Sequence, residues 1–380
     1  MSDLLRSPFH ALYEEHYPDV EWEDWGGYGS ASLMGDADDE IKAIRTDPVM
    51  FDMSPVVKYR IKGPEAEAFL NKLTTRQMAI KPGRVRYTCW CNHEGRLLDD
   101  GTAFRISEDE YLLCPGERHP EHFPDVAKGM NVEVKEVTGE IASLTIQGKT
   151  SLSTLQKIGI KGLEQLAPYS FENYDSPAGE VRISRTGFFG DLGYELWMDL
   201  DQTEAIWKAL IEAGTRPIGM VTLCNGRLEA GMLIPGEGYD FEPATPDGSS
   251  AHPLNRSPFE VGLGFLVSKK KPEFIGREAL LAEMEAGSTW ALIGLELEGE
   301  QGSEHGDKVF HEDREVGFIT SGFYSVSLGR NIALASVEAS LEEIGTAFQV
   351  ETKSGRVGAQ SVEKPFINPE RKSQMPAPAL

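Results

Sequence analysis

Apolar and polar residues alternate with a period of two in several short segments of the chain, and this pattern predicts β-strands. Between residues 56 and 62, the apolar Val57, Tyr59 and Ile61 alternate with three cations, as in a strand that buries one face. The next three residues, at 63–65, include the proline and the acid that are typical of a helix start. A helix is predicted there because the apolar residues that follow recur at helical spacing: Ala66, Phe69, Leu70 and Leu73.

Helical and strand patterns both recur along the rest of the chain, which predicts a mixed α+β fold. The segment Asp201-Gln-Thr-Glu204 resembles a capping box, so we expect a helix from there to Gly214. Another helix is expected at 276–286, and residues 239–257 are predicted to form a long loop. Strands are expected near 85–91, 102–106, 110–114, 131–137 and 142–147. Short strands at 291–297, 316–320, 331–335 and 348–352 indicate a C-terminal β barrel or sandwich.

The composition is that of a globular protein with two or three domains. Of the 380 residues, 40% are hydrophobic, which is enough for substantial cores. No segment approaches the roughly 20 apolar residues of a membrane span, and the first residues lack the order of a signal peptide. We therefore expect no membrane partner and a cytoplasmic location. The 61 acids and 37 bases give a net charge of -24, which argues against nucleic acid as a partner. The oligomeric state is left open.

The four cysteines, Cys89, Cys91, Cys114 and Cys224, are too few for a disulfide framework and are expected to be thiols. Cys89, Cys91 and His93 alternate along a predicted strand, so the three side chains could share a face and bind a soft metal. Buried strand cysteines more commonly pack as small hydrophobic residues. Because no second pair of ligands completes a four-ligand site, we favour packing and expect no metal.

Two acids, Asp99 and Asp100, close the strand-like stretch that begins at Tyr87. Adjacent carboxylates held against a core by apolar neighbours are suited to acid–base chemistry. Two acids can also mark the place where a strand turns. The residues alone leave both interpretations open.

Longer motifs are found along nearly the whole chain. Two of them are Ser184-Arg-Thr-Gly-Phe-Phe-Gly-Asp-Leu-Gly-Tyr-Glu-Leu196 and Gly226-Arg-Leu-Glu-Ala-Gly231. Seven others lie, in order, at 43–54, 63–66, 92–100, 146–148, 258–263, 274–280 and 319–329. Together these nine segments resemble the tetrahydrofolate-dependent aminomethyltransferase (glycine cleavage T-protein) family and its demethylase relatives.

The resemblance implies a three-domain, cloverleaf-like fold with folate in a central channel and a C-terminal β barrel. Residues 1–54 and 144–258 would form the first, folate-binding domain, residues 55–143 the second domain with Asp100, and residues 259–380 the barrel. Tetrahydrofolate is then the expected cofactor. Folate has an anionic tail and the protein is acidic, so we also expect a local basic rim at the channel mouth, formed by Arg60 or by Lys269 to Lys271.

The resemblance also implies the residues of the site. Asp100 falls on the catalytic aspartate, Tyr87, Phe188 and Glu195 on positions that contact the pterin, and Tyr169 on a further aromatic contact. These residue types suit the ligand, because a flat pterin packs on aromatic rings and its aminopyrimidine edge donates to a carboxylate. Without the resemblance, a single glutamate in a strand would more often belong to a solvated face.

A catalytic role for Asp100 has a simple chemical basis. When N5 of the folate attacks an electrophilic carbon it must lose a proton, and a carboxylate within reach stabilises the developing ammonium and steers that proton. Asp99 is then expected to orient its neighbour or to cap the turn.

The chain departs from the aminomethyltransferases at two places. Their Ala-Arg-Asp stretch is replaced by Thr222-Leu223-Cys224, and leucine cannot make the bidentate contact of an arginine. Their Ser-His pair is replaced by Ser54-Pro55. We therefore expect a tetrahydrofolate-dependent demethylase that moves a methyl group from a sulfonium, methylammonium or aryl methyl ether donor to N5. The alternative is an aminomethyltransferase of a glycine-cleavage-type system, which acts on a lipoyl-bearing carrier protein.

A small methylated substrate would be bound by two segments. Trp22, Trp25 and Tyr28 resemble, in placement, a substrate-side segment of the family, and aromatic rings can surround an onium methyl group or stack on a methoxylated ring. The packing of an N-terminal lid onto the body is an equally weighted alternative. In the 239–257 loop, His252 and Arg256 are predicted to select the substrate, with Arg256 holding a substrate carboxylate.

Overall fold

The computed structural model of the protein describes residues 4–236, 238–249 and 251–372. None of the helices in these ranges is long and apolar enough to cross a bilayer. Helix α3 buries the four apolar residues that predicted it. The described residues form eight α-helices: α1 (His10–His16), α2 (Ala37–Thr46), α3 (Ala66–Leu73), α4 (His122–Val126), α5 (Ser151–Lys157), α6 (Thr203–Glu212), α7 (Met220–Glu229) and α8 (Arg277–Ala286).

The strands form three large sheets and one small one. In the N-terminal half of the described chain they are β1 (Leu5–Arg6), β2 (Trp22–Trp25), β3 (Tyr28–Ala31), β4 (Val49–Asp52), β5 (Tyr59–Lys62), β6 (Val85–Cys91), β7 (Leu97–Arg105), β8 (Glu110–Pro115), β9 (Glu133–Glu136) and β10 (Ala142–Gln147). The later strands are β11 (Phe171–Ser176), β12 (Gly179–Ser184), β13 (Gly193–Met198), β14 (Arg216–Pro217), β15 (Trp290–Leu297), β16 (Lys308–His311), β17 (Arg314–Ser325), β18 (Arg330–Glu338), β19 (Ala347–Thr352) and β20 (Gly355–Val362).

The first large sheet has the order β11-β12-β13-β10-β4-β14. Strand β4 is antiparallel to β10 and parallel to β14, so the sheet combines the N-terminal segment with residues beyond 140. Leu144, Tyr194 and Trp207 belong to its fully buried core. The small sheet, with the order β1-β3-β2, contributes Ala31 to this core, and Trp22 packs against it.

The second large sheet has the order β6-β7-β8-β5-β9, and every neighbouring pair is antiparallel. The register places Asp100 of β7 opposite Cys89 of β6, and Gly101 opposite Pro115 of β8. A Cβ atom on Gly101 would come within 2.3 Å of the Cys114 carbonyl oxygen. Glycine is therefore required here for β8 to approach β7 directly beside Asp100.

The third sheet is a closed barrel with the order β15-β18-β17-β16-β19-β20. Strand β20 pairs back with β15, which leaves no free sheet edge. Alternating apolar residues of its strands fill the interior, among them Leu295, Ile319 and Val350. The predicted domain boundaries stay a prediction; strand β10, which enters the first sheet, already begins at Ala142.

Helix α7 joins the first sheet to the barrel through buried ion pairs. The Arg227 guanidinium is 2% exposed and donates to Asp240 at 2.5 Å and to the Ser321 hydroxyl at 2.8 Å. At the end of the helix, fully buried Glu229 accepts from Arg45 of α2 at 2.6 Å and from the barrel residue Ser325 at 2.5 Å. Polar side chains thus connect three parts of the protein through its interior.

The capping box before α6 differs in position from the prediction. It is formed by Asp199 and Gln202, in a short 3₁₀ turn that precedes the helix, rather than by Asp201 and Glu204. The prediction of a helix in this segment holds, because α6 buries Ile206 and Leu210 on one face. A Ser, Thr, Asp or Asn followed three residues later by Glu or Gln marks a capping box. Two overlapping segments, at 199–202 and 201–204, fit this pattern.

The ion pair on α7 predicts a large and specific loss of stability. Replacing Arg227 by methionine leaves the carboxylate of Asp240 buried without its cation, so the free energy of unfolding should fall by about 3–5 kcal/mol in urea denaturation. The matched control is Arg314→Met, since Arg314 pairs with Glu338 at the exposed surface, where such pairs contribute little. Equal urea midpoints for the two variants would contradict a stabilising role of the Arg227 pair.

Candidate active site

A hydrogen bond across the β6–β7 hairpin defines the centre of the candidate site. The Tyr87 hydroxyl donates to Oδ2 of Asp100 at 2.6 Å. Both side chains are half-buried, and Tyr87 also packs against the apolar cluster that contains Cys89 and Phe241. The sequence predicted both residues for the site, and the structure brings them into direct contact.

Asp100 holds its proton more tightly than an ordinary aspartate. Burial, and then the charge of the adjacent Asp99, raise the pKa of Asp100 to about 7, against an opposing effect of the Tyr87 hydrogen bond. Burial also raises the pKa of Tyr87 well above its usual range, and Asp100 adds to that effect. A carboxyl group that titrates near neutral pH is suited to accept and return a proton.

Asp99 has a different environment from its neighbour and is fully buried. Its Oδ1 accepts the backbone N–H groups of Asp100 at 2.7 Å and of Gly116 at 3.3 Å. Its Oδ2 accepts the backbone N–H of Glu117 at 2.8 Å and lies 3.0 Å from Nε2 of His119. With its oxygens occupied in this way, Asp99 caps the turn at residues 116–119, as expected from its position.

Glu195 lies on β13 and provides a second half-buried carboxylate. Its Oε2 accepts the Thr186 hydroxyl at 2.5 Å and the Ser184 hydroxyl at 3.4 Å. Burial raises the pKa of Glu195, while the two hydroxyls and Lys58 lower it. Lys58 is itself fully buried and donates to the carbonyls of Ser54 and Val56. Burial lowers the pKa of this lysine to about 8.

Tyr169 and Phe188, the other predicted aromatic residues, lie in segments that adjoin these two carboxylates. Tyr169 has a positive φ of 55° and a side chain that is 42% exposed. Its carbonyl accepts the Val85 N–H at 2.9 Å, which places it beside the start of β6. It lies within electrostatic range of both Tyr87 and Glu195. Phe188 follows Thr186, the residue that binds Glu195, by two positions and packs against the apolar cluster that contains Phe51.

The N-terminal aromatic residues divide into two groups. Trp22 stacks on His10, with ring centroids 3.6 Å apart, and packs on the core of the first sheet, which agrees with a lid-packing role. Trp25 instead lies 5.8 Å from Phe51, in the same cluster as Phe188. Tyr28 lines a separate cavity of about 260 Å³. Of the three, Trp25 is therefore the one that shares an apolar cluster with a predicted pterin-contacting residue.

His252 and Arg256 both have structural partners. The Arg256 guanidinium is buried, donates to the Pro253 carbonyl at 2.5 Å and to the Ser336 hydroxyl at 3.3 Å, and lies over the Trp290 ring. The exposed His252 accepts the Leu254 N–H within its own loop. These contacts hold the loop to itself and to the barrel. The role of the two residues in substrate selection stays a prediction.

The proposed cysteine and histidine metal ligands do not come together. Cys89 and Cys91 are fully buried in one apolar cluster, whereas His93 lies beyond the end of β6 and is exposed. Burial raises the pKa of Cys91 well above its usual range. No group of three potential metal ligands is found in the part of the chain that the structure describes. Both thiols pack as small hydrophobic side chains.

The predicted basic rim stays a prediction, and two of its residues are engaged elsewhere. Lys271 is 3% exposed and donates to the carbonyls of Thr74 and Arg76, and burial lowers its pKa to about 7. Arg60 has ion pairs with Glu110 and Glu140, each at 3.6 Å. Neither side chain is available as part of a free cationic surface.

Three arginines that sequence reasoning missed lie beside Tyr169. Arg76 donates to the Tyr87 carbonyl at 3.0 Å. The backbone of Arg84 pairs with that of Ser170, the residue after Tyr169, in an antiparallel β-bridge. Burial, and then the charges of Arg76 and Arg84, lower the pKa of Arg86. None of the three has an ion pair within residues 4–236, 238–249 and 251–372. The available signal was the spacing of Arg84 and Arg86, since residues two apart in a strand share a face.

Comparison with known proteins identifies the family. Residues 15–271 match the family model described as the GCVT N-terminal domain, and residues 291–368 match the glycine cleavage T-protein C-terminal barrel domain. The chain therefore belongs to the glycine cleavage T-protein family, and it is a tetrahydrofolate-dependent transferase. This confirms the predicted family, the α+β fold with a C-terminal barrel and the tetrahydrofolate cofactor.

Full-length relatives agree with that assignment. The aminomethyltransferase of Oceanobacillus iheyensis is 30% identical over 96% of this chain and 99% of its own. The aminomethyltransferase of Geobacillus thermodenitrificans is 32% identical over 96% of this chain and 98% of its own. The crystal structure of glycine cleavage system aminomethyltransferase T from Bartonella henselae has the same fold, with a TM-score of 0.84 at 22% identity over 96% of this chain and 98% of that one. These names support the aminomethyltransferase alternative better than the expected demethylase.

The raised pKa of Asp100 predicts a pH-dependent effect on stability. The folded protein retains this proton up to about pH 7, whereas an ordinary aspartate releases it near 3.8. Stability from this group is therefore present at low pH and is lost as the pH rises towards 7. Asp100→Asn removes the carboxyl group that ionises. The difference in the free energy of unfolding between this variant and the parent, measured with denaturant, should therefore be more favourable to the variant at pH 8 than at pH 5 by about 2 kcal/mol.

Asp125→Asn is the control for this measurement. Asp125 is exposed, and its hydrogen bond to Lys128 lowers the pKa of its carboxyl group, so it is ionised at both pH values. Its substitution should change stability by the same amount at pH 5 and pH 8. A pH-independent effect of Asp100→Asn would show that Asp100 is ionised throughout this range.

Proposed function

We propose that the protein transfers a one-carbon unit to N5 of tetrahydrofolate and that Asp100 handles the proton released there. The observation that supports this most directly is the hydrogen-bonded pair of Tyr87 and Asp100. A carboxyl group with a pKa of about 7, held at 2.6 Å by a phenol, is ready to exchange a proton at neutral pH.

The residues of the site suit a pterin. Oε2 of Glu195 accepts two hydroxyls from its own domain, and no protein donor to Oε1 is found within the described ranges, which leaves acceptor capacity for the N–H groups of an aminopyrimidine. The rings of Tyr87, Tyr169 and Phe188 provide aromatic surfaces for a flat ligand. Lys58 adds a buried positive charge within electrostatic range of Glu195, which favours the ionised carboxylate that such an edge requires.

We assign the following roles to the residues in the proposed reaction. Tetrahydrofolate supplies the nucleophilic N5, which gives up a proton when its bond to carbon forms. Asp100 accepts that proton, and Tyr87 fixes the orientation of the accepting carboxylate. Tyr169 and Phe188 exclude water and hold the acceptor in place, and alignment of this kind supplies much of the rate of a displacement reaction.

The donor that we favour is an aminomethyl group on a lipoyl-bearing carrier protein. The support is the aminomethyltransferase name of relatives that match this chain over nearly their whole length. In that reaction the carbon–sulfur bond breaks, ammonia leaves, and a methylene group joins tetrahydrofolate. The carrier then ends as the dithiol. No oxidant is needed, because the one-carbon unit keeps its oxidation state.

A demethylase remains the second candidate because of the residues at 222–224. Leu223 is 3% exposed and packs in the cluster that contains Phe51 and Phe189, against which Trp25 packs. The Thr222 hydroxyl donates to buried Glu40 at 2.7 Å. At the position where the resemblance predicts an arginine, the side chain is thus apolar and cannot pair with a substrate carboxylate. An apolar wall next to Trp25 is compatible with a methyl donor such as a sulfonium or methylammonium compound.

The three arginines beside Tyr169 are proposed as the binding surface for the anionic folate tail. Arg60 and Lys271 are engaged elsewhere, whereas the exposed Lys269 and Lys270 stay candidates. In a chain with a net charge of -24, a cluster of arginines that has no ion pair within the described ranges favours an anionic ligand at this place.

A pair of assays decides between the two donors. With methylenetetrahydrofolate, ammonia and a dihydrolipoyl carrier protein, an aminomethyltransferase consumes methylenetetrahydrofolate and forms tetrahydrofolate. With tetrahydrofolate and a panel of sulfonium, methylammonium and methoxyaryl compounds, a demethylase forms 5-methyltetrahydrofolate. We expect turnover in the first assay. Turnover in the second assay alone would make the protein a demethylase.

The Asp100→Asn variant tests the catalytic assignment in whichever assay is active. Loss of the proton acceptor should lower kcat by about 10²–10⁴-fold, with the tetrahydrofolate Kd from fluorescence quenching within about twofold of the parent. Tyr87→Phe keeps the ring and removes the phenol hydrogen bond, so its kcat should be intermediate. An Asp100→Asn variant with full turnover would remove Asp100 from the mechanism.

The arginine cluster predicts selectivity for long glutamate tails. Arg84→Ala with Arg86→Ala should weaken the Kd of a pentaglutamyl tetrahydrofolate by about tenfold, since each lost pair at a partly exposed site costs up to about 1 kcal/mol, and should change the Kd of the monoglutamate much less. Arg60→Ala is the matched control, because Arg60 is paired with Glu110 and Glu140. Equal losses for mono- and pentaglutamate would place the tail elsewhere.

A further inference from the structure

His119 lies next to the proposed catalytic centre without belonging to it. The His119 side chain is 11% exposed, and its Nε2 lies 3.0 Å from Oδ2 of Asp99. A carboxylate can only accept hydrogen bonds, so Nε2 must carry the hydrogen in this contact. Asp99 in turn accepts the backbone N–H of Asp100 at 2.7 Å. The Asp99 carboxylate therefore connects the imidazole to the backbone N–H of Asp100 through hydrogen bonds.

The imidazole is held rigidly from several sides. It stacks on Phe123, with centroids 4.8 Å apart and planes 28° apart, and meets the edge of Trp90 at 5.4 Å. The backbone N–H of His119 donates to the Tyr59 hydroxyl at 2.9 Å. Such packing holds the ring in one orientation towards Asp99, and a donor fixed in advance needs no reorganisation when charge changes nearby.

We propose that His119 is a positioning residue which, through Asp99, sets how readily Asp100 releases its proton. Each donor to the Asp99 carboxylate withdraws negative charge from it and weakens the repulsion that Asp100 experiences. His119 is the side-chain donor, and the other three donors are backbone N–H groups, which substitution does not remove. The role of Asp100 itself rests on the proposed function, whereas its proton affinity can be measured without any substrate.

The charge of Asp99 acts on several groups around it. Burial and then Asp99 raise the pKa of Glu117, while His119 and Arg118 lower it. Burial and the neighbouring His119 lower the pKa of His122 to about 4, so His122 is neutral at physiological pH and does not compensate Asp99. The ionisable groups that face the pair from the packed elements are Tyr87 and Cys89 on β6, Tyr59 on β5, Glu117 and Arg118 in the turn, and His122 on α4.

The test is a direct titration of Asp100 in the folate-free protein. The carboxyl carbon of Asp100 is followed by NMR in protein labelled with ¹³C-aspartate, and the signal is assigned by its absence in Asp100→Asn. In His119→Ala the midpoint should move upward by about one pH unit, because a nearby carboxylate with fewer donors favours the protonated neighbour. In His119→Gln, whose amide N–H can still donate to Asp99, the midpoint should return most of the way to the parent value.

His122→Ala is the matched control. His122 belongs to the same aromatic cluster as His119 but does not donate a hydrogen bond to Asp99. Replacing His122 should therefore leave the titration midpoint of Asp100 unchanged. If His119→Ala does not fold, His119→Leu fills the same space against Phe123 and Trp90 without a donor and replaces it. An unchanged midpoint in the donor-free variant, or the same shift in His122→Ala, would overturn the proposal.

The pH profile of turnover provides an independent readout. The limb of the kcat profile that reports Asp100 should move with the NMR midpoint in each His119 variant. A purely structural role would lower thermal stability in the variants and leave both midpoints unchanged. If the protein shows no one-carbon transfer, the NMR titration still tests the link between His119 and Asp100, so failure of the proposed function and failure of this inference are distinguishable.

Discussion

The buried carboxylate of Glu229 is the interaction on which the arrangement of the protein depends. It lies at the end of α7, where it accepts Arg45 of the N-terminal segment and the hydroxyls of Ser325 and Ser327 in the barrel. Arg45 also donates to the carbonyl of Phe189 at 2.6 Å, one residue from Phe188 of the candidate site. A buried charge is stable only when it is paired and hydrogen-bonded. The barrel, α2 and the 188–189 segment must therefore meet at this place.

The number of donors around each buried carboxylate separates structural groups from reactive ones. Glu229 and Asp99 each accept several hydrogen bonds from distant segments, and both organise the backbone. Glu195 accepts two hydroxyls, and Asp100 accepts one phenol from the neighbouring strand. Burial without full compensation raises the pKa of both of these residues. In the candidate site, Asp100 and Glu195 thus keep acceptor capacity for a ligand.

Sequence patterns predicted several elements with apolar buried faces, but they missed α2, which buries Ile41 and Ile44, and α7, whose buried face includes polar residues. Helix α3 and strand β5 alternate apolar and polar residues in the expected way. Helix α7 does not, because it buries Thr222, Arg227 and Glu229, whose partners lie far away in sequence; Arg45 is 184 residues from Glu229. No local pattern contains such a pair. The resemblance identified Asp100 and Tyr87. For the same reason, the 2.6 Å contact between them, the hydrogen bonds of the Arg256 guanidinium and the arginines beside Tyr169 could be found only from the folded structure.

The acceptor side and the donor side of the candidate site differ in how closely they resemble the aminomethyltransferase pattern. On the acceptor side the proposed folate-binding residues are present, and Tyr87 donates to Asp100 at 2.6 Å. On the donor side, Thr222-Leu223-Cys224 stands where the resemblance predicts an Arg-Asp pair, and Leu223 packs among apolar residues. A well-packed interior does not accommodate a lost ion pair without rearrangement of its neighbours. Trp25 packs against the same apolar cluster as Leu223, so the proposed donor has to be compatible with an apolar wall at this place.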